Sequence, residues 1–299
     1  MTSEFTSRVN EPLFSICIPA YKGENFIRIA IDSIVRQTCK DWELVIVDDA
    51  SPDRTWEVLQ EYKNHNQIHL FRNEKNLGQG ANFNRCLAHA QGKWAIVLAG
   101  DDSLVPHALE TILSTTNDRS DIILWISAHL CLGNKTNPTI PPIFSQVKEF
   151  ESNEFTETLY LHGGMFGEVS NFAFRRDRYV ETCTHGFPET TSHMDADFWM
   201  RLMRSNPTAR VIFWPEPLVH ILIHEESRSS LDERSGKHIV EIFNSTEISL
   251  SIGWSRPVLL RQLVRMLWVN LKFFPVLPRG EKFRSLQTVR LIGREILRS

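Results

Sequence analysis

The stretch Phe14–Thr55, FSICIPAYKGENFIRIAIDSIVRQTCKDWELVIVDDASPDRT, decides the fold. Its opening FSICIP is a short apolar run, which predicts a strand buried on both faces. Apolar residues then recur at Phe26, Ile27, Ala30, Ile31, Ile34 and Val35, the period of a helix over 24–37. Trp42–Val47 (WELVIV) is a second apolar strand, stopped by Asp48-Asp49-Ala50-Ser51-Pro52. Strand, helix, strand at this spacing predicts a parallel pair joined by a right-handed crossover.

The same alternation continues outward. Helices are predicted over 55–62, 80–90 and 106–115, and strands over 68–71, 94–98 and 122–126. A proline-bearing loop is expected over 131–147. Beyond it come helices over 153–161 and 193–204, and strands over 171–174, 210–213 and 218–223. The class is α/β, with a mainly parallel central sheet flanked by helices. In such sheets ligands sit beyond the carboxyl ends of the strands.

The 299 residues are 42% hydrophobic and 23% charged, enough for a sizeable core. A net charge of −3 carries no nucleic-acid signature. The charge is unevenly spread. Residues 254–299 hold ten Lys/Arg and two Asp/Glu, a net of +8, against −11 for the rest. Leu260, Leu263, Val264, Leu267 and Leu271 form an apolar stripe there, beside Arg261, Arg265 and Lys272. A basic amphipathic region of this kind fits either peripheral contact with an anionic membrane or a helical cap on the main domain. Cys17, Cys39, Cys86, Cys131 and Cys183 are odd in number and form no CxxC, which reads as reduced thiols in a cytoplasmic protein. The polar stretch Met1–Glu11 carries no signal-peptide pattern, and no apolar run reaches about 18 residues, so no spanning helix is expected.

The chemistry must sit at the sheet edge. The first strand ends in Pro-Ala-Tyr-Lys-Gly-Glu-Asn, which is neither G-x-G-x-x-G nor a Walker loop. Without a Gly-rich amide cradle, phosphates bound here need another neutraliser, and a divalent cation is the natural choice. Two acidic pairs end strands: Asp48-Asp49 after VIV, and Asp101-Asp102 after IVLAG. Carboxylates suit Mg²⁺ or Mn²⁺. Either pair alone reads equally as a turn or helix cap. Asp195 and Asp197 precede an apolar helix face, as a general base or as dipole-complementing first-turn acids. His220 and His224 are four apart in a strand-like run, so helical zinc geometry does not follow.

Four segments in order resemble the family 2 inverting glycosyltransferases, over roughly Phe14 to Ser229. These are the opening stretch above, NLGQGANFNRCLAHAQGKWAIVLAGDDSL, HGFPE, and DADFWMRL. The resemblance implies the GT-A fold over 12–250, with a Rossmann-like nucleotide-sugar half at 12–130, an acceptor half at 131–250, and a helical extension at 251–299. It places Pro19, Ala20, Tyr21 and Glu24 around the nucleotide base, with Asp48 and Asp49 accepting from base or ribose. Asn76, Asn82, Gly100, Asp101, Asp102 and Arg228 complete the nucleotide-sugar site. Asp101 matches the last Asp of the D-x-D motif and would hold Mn²⁺ or Mg²⁺, with His224 as a second metal ligand. Asp195 would be the catalytic base. His224, Ser227 and Arg228 fall where the family has a loop that closes on the diphosphate.

The chain departs from the pattern at Ala99, Met194, Asn82-Phe83 and Leu222, where members carry Asp, Glu, Ala-Arg and Arg. The implied activity is sugar transfer from a nucleoside-diphosphate-sugar, UDP foremost, to a saccharide, lipid-linked or other hydroxyl acceptor. Glycan synthesis at the inner face of the cytoplasmic membrane is the implied setting. Two alternatives stay open: a sugar nucleotidyltransferase, which would release pyrophosphate, and a degenerate binder that turns nothing over.

Overall fold

Mainly apolar runs lie where both faces of a strand are covered. β1 (Phe14–Ala20), β2 (Trp42–Asp48) and β4 (Trp94–Val97) are buried in this way, and β3 (Ile68–Arg72) is the half-exposed edge. They lie parallel in the order β3-β2-β1-β4. The helices α1 (Ile27–Val35), α2 (Thr55–Gln60) and α3 (Gln79–His89) make the crossovers. Helix α1 begins three residues later than its period suggests, because Phe26 and Ile27 N–H close a turn onto Gly23 O. The computed structural model describes residues 11–116, 119–133, 137, 140–162, 169–182, 186–187, 194–225, 258–261, 263–264, 267 and 279–298.

The second half mixes directions. It contains β5 (Ser103–Leu104), α4 (Ala108–Thr116), β6 (Ile122–Gly133), β7 (Lys148–Glu151), α5 (Ser152–His162), β8 (Phe172–Arg175), α6 (Arg176–Thr182), α7 (Met194–Ser205) and β9 (Arg210–Ile223). Strand β8 lies between β4 and β6, antiparallel to both. Strand β9 runs parallel to β6, and β5 and β7 pair with it antiparallel. The parallel expectation thus holds along the N-terminal half of the sheet, and the other half is mixed.

Two boundaries differ from the sequence reading. Strand β6 runs on to Gly133, past Ile126 and into the expected loop. The two predicted strands 210–213 and 218–223 are one strand, β9. Pro215 and Pro217 hid this, since proline cannot donate to a ladder. The register absorbs them as an irregularity, with Ser127 opposite Trp214 and Ala128 opposite Pro217.

Alternation along the strands splits the core between two sheet faces. Phe14, Ile16, Ile18, Leu44 and Ile46 enter one cluster, and Cys17, Val45, Val47, Ala95 and Val97 the other. The second cluster is aromatic-rich, with Phe172 stacked on Trp199 at 4.3 Å between ring centres. Cys17, Cys39 and Cys86 are free thiols. Burial pushes the Cys17 and Cys86 thiols up, so both remain protonated apolar side chains. Downstream, α8 (Arg279–Arg298) buries Thr288, Ile292 and Ile296 along one face. No helix among the described residues is long and apolar enough to cross a membrane.

Candidate active site

Strands β1, β2 and β4 end at the same sheet edge, and their loops are knitted together. Asp49 N–H donates to Ala20 O at 2.8 Å, Lys22 N–H to Ser51 Oγ at 3.1 Å, and Gly23 N–H to Thr55 Oγ1 at 2.8 Å. Glu24 Oε2 accepts the Arg54 N–H at 2.9 Å. Lys22 and Ala50, at φ 54° and 53°, both sit in the left-handed region. Each costs about 1–2 kcal/mol there, a strain held by these cross-loop bonds. Tyr21 stands 45% exposed at the strand end, while Ala20 beneath it is buried.

The first acidic pair faces inward. Asp48 lies 3.0 Å from Arg72 Nε and accepts the Ser51 N–H. Burial raises its carboxyl pKa, and the Ser51 hydrogen bonds and Arg72 moderate the rise. Asp49 accepts Asn73 Nδ2 at 2.7 Å, Leu77 N–H at 2.9 Å and Gly78 N–H at 3.0 Å. Asn82 spends its amide on Asn73 and on Val47 O. Asn76 Oδ1 accepts the Gly78 N–H. Asp48, Asp49 and Asn82, expected around the nucleotide together with Asn76, are buried and internally bonded, and the four shape the loop 73–78 and the floor beneath it.

The second pair divides its labour. Asp102 is buried, accepting Leu222 N–H at 3.0 Å and the Ser170 hydroxyl at 2.5 Å. Ser170 Oγ also accepts the Ala99 N–H at 3.0 Å. Asp102 therefore ties the strand-end turn to β9 and to the turn Val169–Asn171. A Cβ at Gly100 would stand 3.1 Å from Ile27 Cδ1 of α1, a tight approach. Asp101 instead remains 26% exposed, and His224 Nε2 lies 3.0 Å from its Oδ2. The His224 ring packs on Phe26 at 4.4 Å. Two residues 123 apart in the chain, both expected as metal ligands, thus meet at the carboxyl edge.

Among the described residues no three His, Cys, Asp or Glu side chains converge as a closed metal cage. One carboxylate and one imidazole, each about a quarter exposed, fit a cation that completes its shell with water and substrate phosphates. Asp101 and His224 are the side chains that would hold it.

Helix α7 carries the later acids in its first turn. Asp195 is partly exposed. Asp197 is buried, ion-paired with Arg201 at 2.6 Å one turn on, and burial raises its carboxyl pKa despite that partner. Ser227 and Arg228 lie outside the described residues. Ser170 and Asn73 escaped the sequence reading, since a lone polar side chain has no period or motif to flag it.

The glycosyl transferase family 2 model matches residues 15–184, more than half of the chain. The chain belongs to glycosyl transferase family 2. An uncharacterized glycosyltransferase of Methanocaldococcus jannaschii is 28% identical over 203 residues, covering 66% of this chain and 67% of its own. The match spans 67% of that protein's length, 44% of the putative teichuronic acid biosynthesis glycosyltransferase TuaG and 65% of the putative glycosyltransferase EpsH, both of Bacillus subtilis. S. aureus TarS 1-349, solved with UDP-GlcNAc, superposes with a TM-score of 0.73 at 16% identity, covering 95% of this chain and 81% of that one. The mannosyltransferase PcManGT of Pyrobaculum calidifontis, solved with GDP-Man and Mn²⁺, gives 0.57 at 13% identity, covering 96% and 87%. At such identities the likeness shows the fold, and it is the GT-A fold of this family.

Proposed function

We propose that this family 2 protein transfers a sugar from a nucleoside-diphosphate-sugar, UDP-linked foremost, to a hydroxyl acceptor with inversion at the anomeric carbon. The observation that carries the reading is the meeting of Asp101 and His224 at the strand edge, in a chain of this family. The solved neighbours with UDP-GlcNAc and with GDP-Man plus Mn²⁺ support a nucleotide-sugar donor and a divalent cation.

Tyr21, exposed beside Pro19 at the end of β1, would face the base. Asp195 would take the proton from the acceptor hydroxyl. The acceptor oxygen then bonds to the anomeric carbon as the bond to the diphosphate breaks, and the electron pair leaves with the nucleoside diphosphate. Asp101 and His224 would stand at the leaving-group side. No covalent enzyme intermediate is needed.

The acceptor is read as a saccharide or lipid-linked hydroxyl, and the setting as cytoplasmic with peripheral membrane contact. Leu260, Val264 and Leu267 support the last point. They are exposed at helical spacing beside exposed Arg261, whereas Val258 and Leu259 are buried. The test of the reaction is Asp195→Asn. It is expected to keep UDP binding and to lose transfer by roughly 10²–10⁴-fold. Full transfer by the variant, or a product that retains the donor's anomeric configuration, contradicts the proposal.

A further inference from the structure

Asn84 stands on α3 in the parallel half, and Phe187 lies 103 residues on, in the segment before α7. The Asn84 amide grips the Phe187 backbone twice. Its Nδ2 donates to Phe187 O at 2.9 Å, and its Oδ1 accepts the Phe187 N–H at 2.7 Å. A side-chain amide offers one donor and one acceptor at the spacing a neighbouring peptide would, so the loop is bound as if by a strand. Asp would lack the donor, and Gln would overreach.

The adjoining residue is shaped to this grip. Gly186 has φ +59°, and a Cβ there would stand 2.2 Å from Asn84 Oδ1. The Phe187 ring is fully buried. It lies flat on Phe198, with centres 4.2 Å apart and planes 2° from parallel, and meets Phe83 of α3 edge-on at 5.0 Å. Phe198 belongs to α7, one turn after Asp195. A rigid chain of contacts therefore runs from Asn84 through Phe187 and Phe198 to the first turn of α7. Packed aromatic rings transmit such a constraint because they sit in few alternative arrangements.

We infer that Asn84 is a positioning residue that sets the first turn of α7, and with it Asp195, from the nucleotide-sugar side of the sheet. The inference rests on the reading of Asp195 as base. It gives Asn84 no contact with donor or acceptor. Its loss should therefore lower kcat per folded molecule, counted by stoichiometric UDP binding so that a smaller folded fraction is not mistaken for it, and leave donor affinity alone.

The test uses the full chain with Mn²⁺. It follows UDP release to water from whichever of UDP-glucose, UDP-galactose and UDP-GlcNAc the wild type consumes fastest. Asn84→Ala is expected to lower kcat roughly 10- to 100-fold, with donor KM within about twofold. The Asn84→Ala/Asp195→Asn double variant should be no slower than Asp195→Asn alone. Phe187→Leu keeps the backbone grip but loses the flat ring stack, and should reproduce the kcat loss. It decides the matter if Asn84→Ala does not fold. Wild-type kcat in both Asn84→Ala and Phe187→Leu overturns the inference. So does a loss confined to donor KM, or losses that multiply in the double variant. Asp195→Asn at the wild-type rate would instead overturn the reading of Asp195 as base, a failure told apart because it appears with Asn84 intact.

Discussion

Adjacent aspartates do opposite jobs in this site. Asp101 turns out toward His224, while Asp102 turns in to hold Leu222 and Ser170. The same holds on α7, where Asp195 is partly exposed and Asp197 is buried. Asp197 carries a testable pH signature. Its carboxyl pKa is raised in the folded state, so ionisation at neutral pH costs stability that the unfolded chain does not lose. Asp197→Asn, of nearly the same shape and uncharged, is expected to raise the melting midpoint at pH 7.5 by roughly 1–3 °C. The advantage should shrink on acidification through the raised pKa of Asp197, where the wild-type carboxyl is protonated as well. Thermal melts of both proteins across that range check it, and a lower midpoint at pH 7.5 contradicts it.

At the scale of elements, the runs Phe14–Pro19, Trp42–Val47 and Trp94–Leu98 were legible as strands because apolar residues dominate both faces, and the buried exceptions Ser15 and Glu43 bond to each other. The joining of 210–213 to 218–223 was not, because Pro215 and Pro217 look like a break and only the parallel partner β6 bridges them. The edge position of the two acidic pairs was readable. Which carboxylate of each pair points inward was not, since that depends on loops arriving from elsewhere in the chain. Loop 73–78 is the plainest case, as it hangs on the buried Asp49. Asp49→Ala would strip partners from Asn73, Leu77 and Gly78 at once. A loss of about 2–4 kcal/mol in denaturant unfolding is expected, with faster proteolytic cleavage in that loop. An unchanged unfolding midpoint and cleavage rate would show that Asp49 does not organise the loop.

Over the whole molecule, an acidic body of net −11 leads into residues 254–299 of net +8. If the exposed leucines and basic residues of that region meet an anionic membrane, the full chain should sediment with phosphatidylglycerol vesicles at low salt. Sedimentation should weaken as salt rises, and should fail when the chain stops near Trp254. Equal sedimentation of both forms would assign the region to capping the domain instead. The central claim concerns the edge where β1, β2 and β4 end and where the return of β9 brings His224 to Asp101. It is tested most directly by nucleoside-diphosphate release from a panel of UDP- and GDP-sugars, with Mn²⁺ or with EDTA, for wild type and Asp101→Ala. The account predicts release by the wild type with Mn²⁺, abolished by EDTA, and reduced on the order of 10²-fold or more by Asp101→Ala. Release undiminished by both EDTA and Asp101→Ala would contradict it.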